Sequence, residues 1–252
     1  MTASAPAPAH GSNGHMPAPP QHSSVNGTSL NGTRPPPALL VAEGGLALDE
    51  AVSLAVEQDE RQRPVDLAAA ERAAADFLTA LGIDLDREQR RTTPARMARA
   101  YAELLAAQPF QLTTFPNDEG YDELVLARAI PFRTLCEHHM LLFSGVAHVG
   151  YLPGERILGL SKLARLVEHF AAQPQTQERL TMQIAKSLDE ALHPRGVGVA
   201  MEAEHTCMTE RGIRALGATT VTSALLGALR TDPRCRAEFF ALARVPTSPG
   251  PG

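Results

Sequence analysis

The chain has no tryptophan, and aromatic residues make up only 4% of it. A core drawn from its 44% hydrophobic residues must therefore be built mainly from Leu, Val, Ile and Ala. Cysteine is scarce too, with Cys136, Cys207 and Cys235 alone. An odd, small number without an export signal argues against a disulfide framework and for metal binding, catalysis or plain burial. No apolar run approaches the ~20 residues needed to cross a bilayer. No basic segment followed by an apolar stretch opens the chain, so no secretory signal is expected and the cytoplasm is the expected compartment. A basic excess is also missing. At a formal charge of -5 nothing in the electrostatics calls for nucleic acid or an acidic membrane as partner. An anionic substrate would need a local basic cluster.

What is present, at 252 residues, suffices for one ordinary domain with tails or two small ones. Residues 1–45 are rich in Pro, Gly, Ser, Ala and Asn and cannot bury enough surface to offset their ordering entropy, so they are expected to be disordered, as is the tail 246–252. Residues 46–64 read as a weak helix over Leu48–Gln58 and a charged linker, Asp59–Arg63. Residues 65–118 hold a pair of helices. In the first, Leu67, Ala70, Ala74, Phe77, Leu78 and Leu81 recur at helical spacing until Gly82. The second starts at Thr93-Pro94, read as N-cap and first helical position, and carries Met97, Tyr101, Leu104 and Leu105.

Residues 119–245 change character. Leu124–Phe132 and Ser144–Tyr151 read as strands. Two helices follow, one with Leu163, Leu166, Val167 and Phe170 on a face, the other with Leu180, Ile184, Leu188 and Leu192, stopped by Pro194-Arg195-Gly196. Val197, Val199, Met201 and Ala203 then alternate as in a half-buried strand, Ala218–Ser223 suits another, and Asp232–Ala243 a closing helix. Two strands, two helices and two strands make an α+β domain with helices layered on one sheet face.

The densest chemical signal is Cys136-Glu137-His138-His139, because a Cys-x-x-His turn can place a thiolate and an imidazole on one metal ion. His205-Thr206-Cys207 follows the alternating strand. If that strand continues, His205 and Cys207 project to one side. Four soft or borderline donors suit zinc. Three protein ligands with an open position would make a catalytic site, and four a structural one. Ser161, Lys162 and Arg165 open a helix where the dipole favours phosphate. Arg96 and Arg99 repeat the three-residue spacing, and Arg211 follows Cys207 by four. Taken alone, each of these is most simply a solvated surface charge. Gln177-Glu178 opens a helix, where a carboxylate serves either the dipole or the amino and imino groups of guanine.

These residues carry a resemblance. Cys136-Glu137-His138-His139, Gly150-Tyr151-Leu152-Pro153, Gly159-Leu160-Ser161-Lys162, Gln175 through Thr181, and Glu204 through Gly212 stand in the order and spacing of the GTP cyclohydrolase I family, over roughly Thr92 to Leu242. The resemblance implies a tunnelling fold: an antiparallel four-stranded sheet with two antiparallel helices on one face, preceded by a helical pair. It also implies a homo-oligomer, typically a decamer, in which active sites lie between subunits. It makes Cys136, His139 and Cys207 the ligands of Zn2+, with water in the fourth position. The implied reaction is attack of zinc-activated water on carbon 8 of GTP, with release of formate and formation of 7,8-dihydroneopterin triphosphate, the first step towards tetrahydrofolate and pterins. His205 becomes the general acid, His138 an assistant in proton transfer, and Ser161 the residue of the ribose rearrangement. Gln177, also placed in the catalytic set, would hold the guanine edge with Glu178. Lys162, Arg165, Arg211, Arg96 and Arg99 would hold the triphosphate. Two positions depart from the family pattern: Gln173 stands where a basic residue is common, and Arg99 where lysine is frequent. Cys235 has no matching role. The rivals are a specialised-pathway paralogue with a different or truncated product, and a non-catalytic zinc-binding regulatory paralogue. A nitrile reductase of this fold would use cysteine without zinc, which the His-x-Cys pair argues against.

Overall fold

The computed structural model describes residues 64–243 and, as backbone, the strand β1 (Val52–Ala55). The tails expected at 1–45 and 246–252 and the linker Asp59–Arg63 lie outside the described residues. The helix expected over Leu48–Gln58 is corrected at its centre, where Val52–Ala55 is extended and pairs antiparallel with Gln111–Thr114. So short a segment has little helical stability of its own, and a partner strand satisfies its backbone instead.

Helix α1 (Leu67–Ala80) is capped by Asp66, whose carboxylate accepts from the Ala69 N–H at 2.9 Å. It ends as the sequence predicts, at Gly82, which takes φ +78°. There Gly82 and Ile83 donate to the carbonyls of Thr79 and Leu78, closing the helix in a Schellman motif. Helix α2 (Thr93–Leu104) begins one residue earlier than the Thr93-Pro94 reading, with Thr92 as its cap and no side-chain capping bond. Proline is tolerated throughout the first turn, whose N–H groups have no intrahelical acceptor. The two helices pack together. Of α1, however, only Ala74 is buried, while Leu67, Phe77 and Leu81 are exposed.

The rest of the chain builds strands β2 (Gln111–Pro116), β3 (Val125–Leu135), β4 (Leu142–Leu152) and β5 (Arg156–Leu158), then helices α3 (Ser161–Ala171) and α4 (Gln177–Leu192). Strand β6 (Gly196–His205), the helical turn α5 (Thr206–Thr209), strand β7 (Thr219–Gly227), α6 (Ala228–Thr231) and α7 (Pro233–Ala243) complete it. Strands β3, β4, β6 and β7 form one sheet in that order, every pair antiparallel. This is the α+β plan the sequence leads one to expect, an antiparallel four-stranded sheet with α3 and α4 on one face. A second, three-stranded sheet, β1-β2-β5, is absent from the sequence reading. Its strands are short, and its polar centre is Thr114, fully buried, whose hydroxyl accepts from Arg156 Nε at 2.9 Å.

Leu163, Leu166 and Val167 of α3 and Leu180, Ile184 and Leu188 of α4 are fully buried against Ala147, Val149, Val197, Val199 and Met201 of the sheet. Each such aliphatic side chain contributes about 1.5–3 kcal/mol on burial. The other face of the same strands is covered as well, with Ala200, Leu225 and Leu152 packed against Leu229 and Phe239. Gly198 faces that side, and a Cβ there would lie 2.8 Å from the Phe239 ring, so the bare strand backbone is what admits α7. The end of β3, the start of β4 and the end of β6 meet at one edge, where Phe143 pairs with His205.

Candidate metal and active site

The loop from β3 to β4 is short and tightly bonded. Cys136 N–H donates to Leu141 O at 2.8 Å, Met140 N–H returns to Cys136 O at 2.8 Å, and Met140 takes φ 52°. This turn buries Cys136 and leaves His138 and His139 exposed. The second element is built differently from the alternation read in the sequence. Strand β6 stops at His205 and the backbone turns helical at Thr206, whose hydroxyl donates to Leu142 O at 2.6 Å. That helical turn, not a continued strand, presents Cys207.

The ligand atoms of Cys136, His139 and Cys207 all lie within 4.8 Å of one another. Cys136 Sγ is 3.9 Å from His139 Nδ1 and 3.8 Å from His138 Nδ1. Burial, reinforced by the neighbouring Cys136 thiol, pushes the Cys207 thiol up, and the Arg211 guanidinium opposes the shift. Two sulfurs and an imidazole so gathered are a donor set that fits a borderline-soft metal ion, and three protein donors leave a coordination position open.

Beside this triad, the His205 ring is fixed on two sides. It stacks on Phe143 with ring centroids 4.2 Å apart and planes 10° from parallel. Its Nε2 lies 2.7 Å from Gln177 Oε1. Gln177 is only 2% exposed, and its Nε2 donates to Met201 O at 3.2 Å and Thr220 O at 2.9 Å. Those two carbonyls take both amide hydrogens, so Oε1 must face the imidazole and the shared proton sits on His205 Nε2. The side chain is thus spent inside the protein, a different use from the guanine-edge contact the resemblance implies. Burial pushes His205 below its ordinary value, with the Glu178 carboxylate opposing. Glu178 itself is exposed on the first turn of α4.

Ser161, Lys162 and Arg165 lie in the first turns of α3, which no side chain caps. Arg165 borders a cavity of about 330 Å³ also lined by Phe110, Glu168 and His169. Arg96 and Arg99 are exposed on α2. Among the described residues, the side chains of Lys162, Arg165, Arg96 and Arg99 have no hydrogen bond or ion pair, which leaves four cationic heads for an anion. No described contact within the chain joins Ser161 or these four to the metal triad. Cys235 packs at the edge of the α7 core.

Three contributors escaped the sequence reading. Phe143 reaches His205 through the β4–β6 register, which no local pattern carries. The Tyr101 hydroxyl donates to Met140 O at 3.1 Å, tying α2 to the loop; its periodicity marks it only as apolar. Arg179 pairs with Glu137 at 2.6 Å, and the one signal for it is its place in the Gln177-Glu178-Arg179 run.

The family model described as GTP cyclohydrolase I matches residues 70–244. GTP cyclohydrolase 1 of Mycobacteroides abscessus is 57% identical over 132 residues, covering 52% of this chain and 64% of that protein. GTP cyclohydrolase 1 of Synechococcus sp. (strain JA-2-3B'a(2-13)) is 52% identical over 131 residues, 52% of this chain and 57% of that one. GTP cyclohydrolase 1 of Homo sapiens is 51% identical over 127 residues, 50% and 51% of the two chains. The chain therefore spans between half and two thirds of the length of these curated relatives.

Proposed function

Since the chain belongs to the GTP cyclohydrolase I family, we propose that it opens the guanine ring of GTP hydrolytically, releases formate and yields 7,8-dihydroneopterin triphosphate, the first step of tetrahydrofolate and pterin biosynthesis, in the cytoplasm. The observation that carries this reading is the convergence of Cys136, His139 and Cys207 beside a histidine whose ring is locked in place. Zn2+ is the ion that this sulfur and imidazole set suits best, and when bound it supplies Lewis acidity and activates water for hydrolysis near neutral pH.

The chain's own residues then divide the remaining work. His205 transfers a proton at the guanine imidazole ring, and Gln177 keeps its ring oriented for that transfer. His138, exposed beside the triad, assists proton movement on the solvent side. Glu178 accepts hydrogens from the guanine edge. Lys162, Arg165, Arg211, Arg96 and Arg99 hold the triphosphate, a role supported by the unpaired state of four of them. Ser161, next to Lys162, serves the ribose rearrangement.

A homo-oligomer, a decamer by family resemblance, accounts for two observations. Val65, Leu67, Phe77, Leu81 and Ile83, and separately Ile213, Leu216 and Val221, are exposed apolar side chains that subunit contacts would cover. The distribution of the cations over α2 and α3 likewise suits sites completed by a neighbouring copy. No helix among the described residues is long and apolar enough to cross a membrane.

The test is incubation of purified, zinc-loaded protein with GTP, with formate and dihydroneopterin triphosphate assayed beside a Cys207→Ala control. Both products from the native protein and neither from the control are expected. Formate without the pterin would replace this reading by a truncated reaction and remove the role given to Ser161. Neither product from an assembled, zinc-bound protein would favour a non-catalytic paralogue.

A further inference from the structure

The metal-binding loop is held from behind by a side-chain network that touches none of the ligand atoms. Gln175, fully buried in the connection between α3 and α4, forms a parallel bridge with Cys136. Its N–H donates to Leu135 O at 2.8 Å, and its carbonyl accepts from Glu137 N–H at 3.0 Å. Two residues earlier on each segment, the Thr134 hydroxyl donates to Gln173 O at 2.8 Å. The Gln175 amide is anchored in turn, its Nε2 donating to Phe170 O at 2.8 Å and to Gln183 Oε1 at 2.9 Å. Arg179 completes the arrangement with all three guanidinium nitrogens. Nε donates to Gln175 Oε1 at 3.0 Å, one terminal nitrogen to Pro174 O at 2.6 Å, and the other pairs with Glu137 Oε2 at 2.6 Å.

We propose that Gln175 and Arg179 form a bracket that holds the Cys136–His139 turn in its ligand-ready shape before metal binds, with Arg179 acting as a positioning residue through Glu137. The proposal rests on the reading of Cys136, His139 and Cys207 as zinc ligands. The physical case turns on what the Arg179–Glu137 pair is able to do. Its side chains are 43% and 33% exposed, so as a salt bridge it adds little to folding stability. Geometry is another matter. A planar guanidinium bonded on three sides has one orientation, and Glu137 lies between Cys136 and His138, so fixing Glu137 fixes the peptide path between the first ligand and the histidines. Residues that orient ligands from behind characteristically tune metal affinity far more than fold.

The experiment measures zinc affinity of the full-length protein, stripped of metal and titrated with Zn2+ against a chromophoric chelator. Native chain, Arg179→Ala, Arg179→Lys, Glu137→Gln and the Arg179→Ala/Glu137→Gln double variant are compared, with thermal midpoints of the metal-free forms alongside. Arg179→Ala and Glu137→Gln should each lose roughly 10- to 100-fold in affinity. Arg179→Lys, a point charge without the fork, should recover only part. The double variant should be little worse than either single one, because both remove the same coupling. Glu137→Gln keeps the shape of an exposed side chain, so it reports even if Arg179→Ala fails to fold. Native affinity in the variants, or a loss matched by an equal fall in the metal-free midpoint, would overturn the bracket while leaving the zinc site standing. A native chain that binds no zinc would overturn the metal reading itself.

Discussion

Replacing Gln177 by leucine tests the locked histidine most directly. The volume is nearly kept, but three hydrogen bonds vanish: those to Met201 O and Thr220 O, and the one from His205 Nε2. The site is only 2% exposed, so water cannot take their place. At about 1 kcal/mol net for each bond, and more where a buried group is left unpaired, the loss is roughly 2–4 kcal/mol after the gain from burying leucine methyls. For a domain of this size that lowers the thermal midpoint by roughly 5–15 °C. Well below that midpoint the variant should bind zinc as the native chain does, since Gln177 bonds neither a ligand nor the Gln175–Arg179–Glu137 network behind the Cys136–His139 turn. The His205 ring, held then only by its stack on Phe143, should wander, and a misplacement of that order costs roughly 10- to 100-fold in rate. The assay is steady-state turnover of GTP at several concentrations, with zinc content and midpoint measured on the same samples. A fall in kcat with KM little changed is the expected result. A raised KM with kcat intact would refute the reasoning and return Gln177 to the guanine edge.

Four other outcomes are expected. Gly198→Ala places a methyl 2.8 Å from the buried Phe239 ring and should cost about 1–3 kcal/mol by overpacking, with part of it recovered when Phe239→Leu is added, as a two-variant denaturation cycle will show. Thermal stability should fall as pH drops through and below the ordinary imidazole value of 6.5, because burial holds His148, His169 and His205 below that value. The unfolded chain then binds more protons than the native one in that window, so acid favours unfolding. His169→Phe, at a buried ring packed between Phe110 and Phe170, should flatten the midpoint-against-pH curve. On the proposed function, Arg165→Ala should raise KM for GTP roughly 10- to 100-fold through a lost phosphate contact, with the native chain the more salt-sensitive of the two.

The four-stranded sheet and its two helices were legible because each element buries its own periodic face. Val197, Val199, Met201 and Ala203 mark one side of β6 by alternation, and Leu180, Ile184 and Leu188 mark one stripe of α4, so local pattern and tertiary packing agree. They disagree where stability is supplied from elsewhere in the chain. Strands β2 and β5 are six and three residues long, and the Arg156–Thr114 bonds that hold them join residues 42 apart. The stripe of α1 was read correctly as a helix, yet Leu67, Phe77 and Leu81 face outward, because periodicity reports amphipathic character and not what the apolar face meets. At the site, Cys207 was recognised, but the strand continuation on which its placement was made conditional does not occur, since strand alternation cannot foresee a helical turn starting at Thr206.

By itself the sequence determined the chemical identity of the site. Two short segments hold five of the chain's twelve cysteines and histidines, in an order and spacing so close to a family pattern that the donor set could be named before any fold was known. Only the tertiary structure decided how those groups are used. Gln177 and Glu178 are neighbours on one helix, but one is buried against two strand carbonyls and the other faces solvent. Likewise Arg179 reads as one more surface cation until the α3–α4 connection carries it to Glu137. Residue type sets which bonds a side chain is able to make. Which of them it does make depends on partners dozens of residues away, and those are brought within reach only when the sheet closes in register.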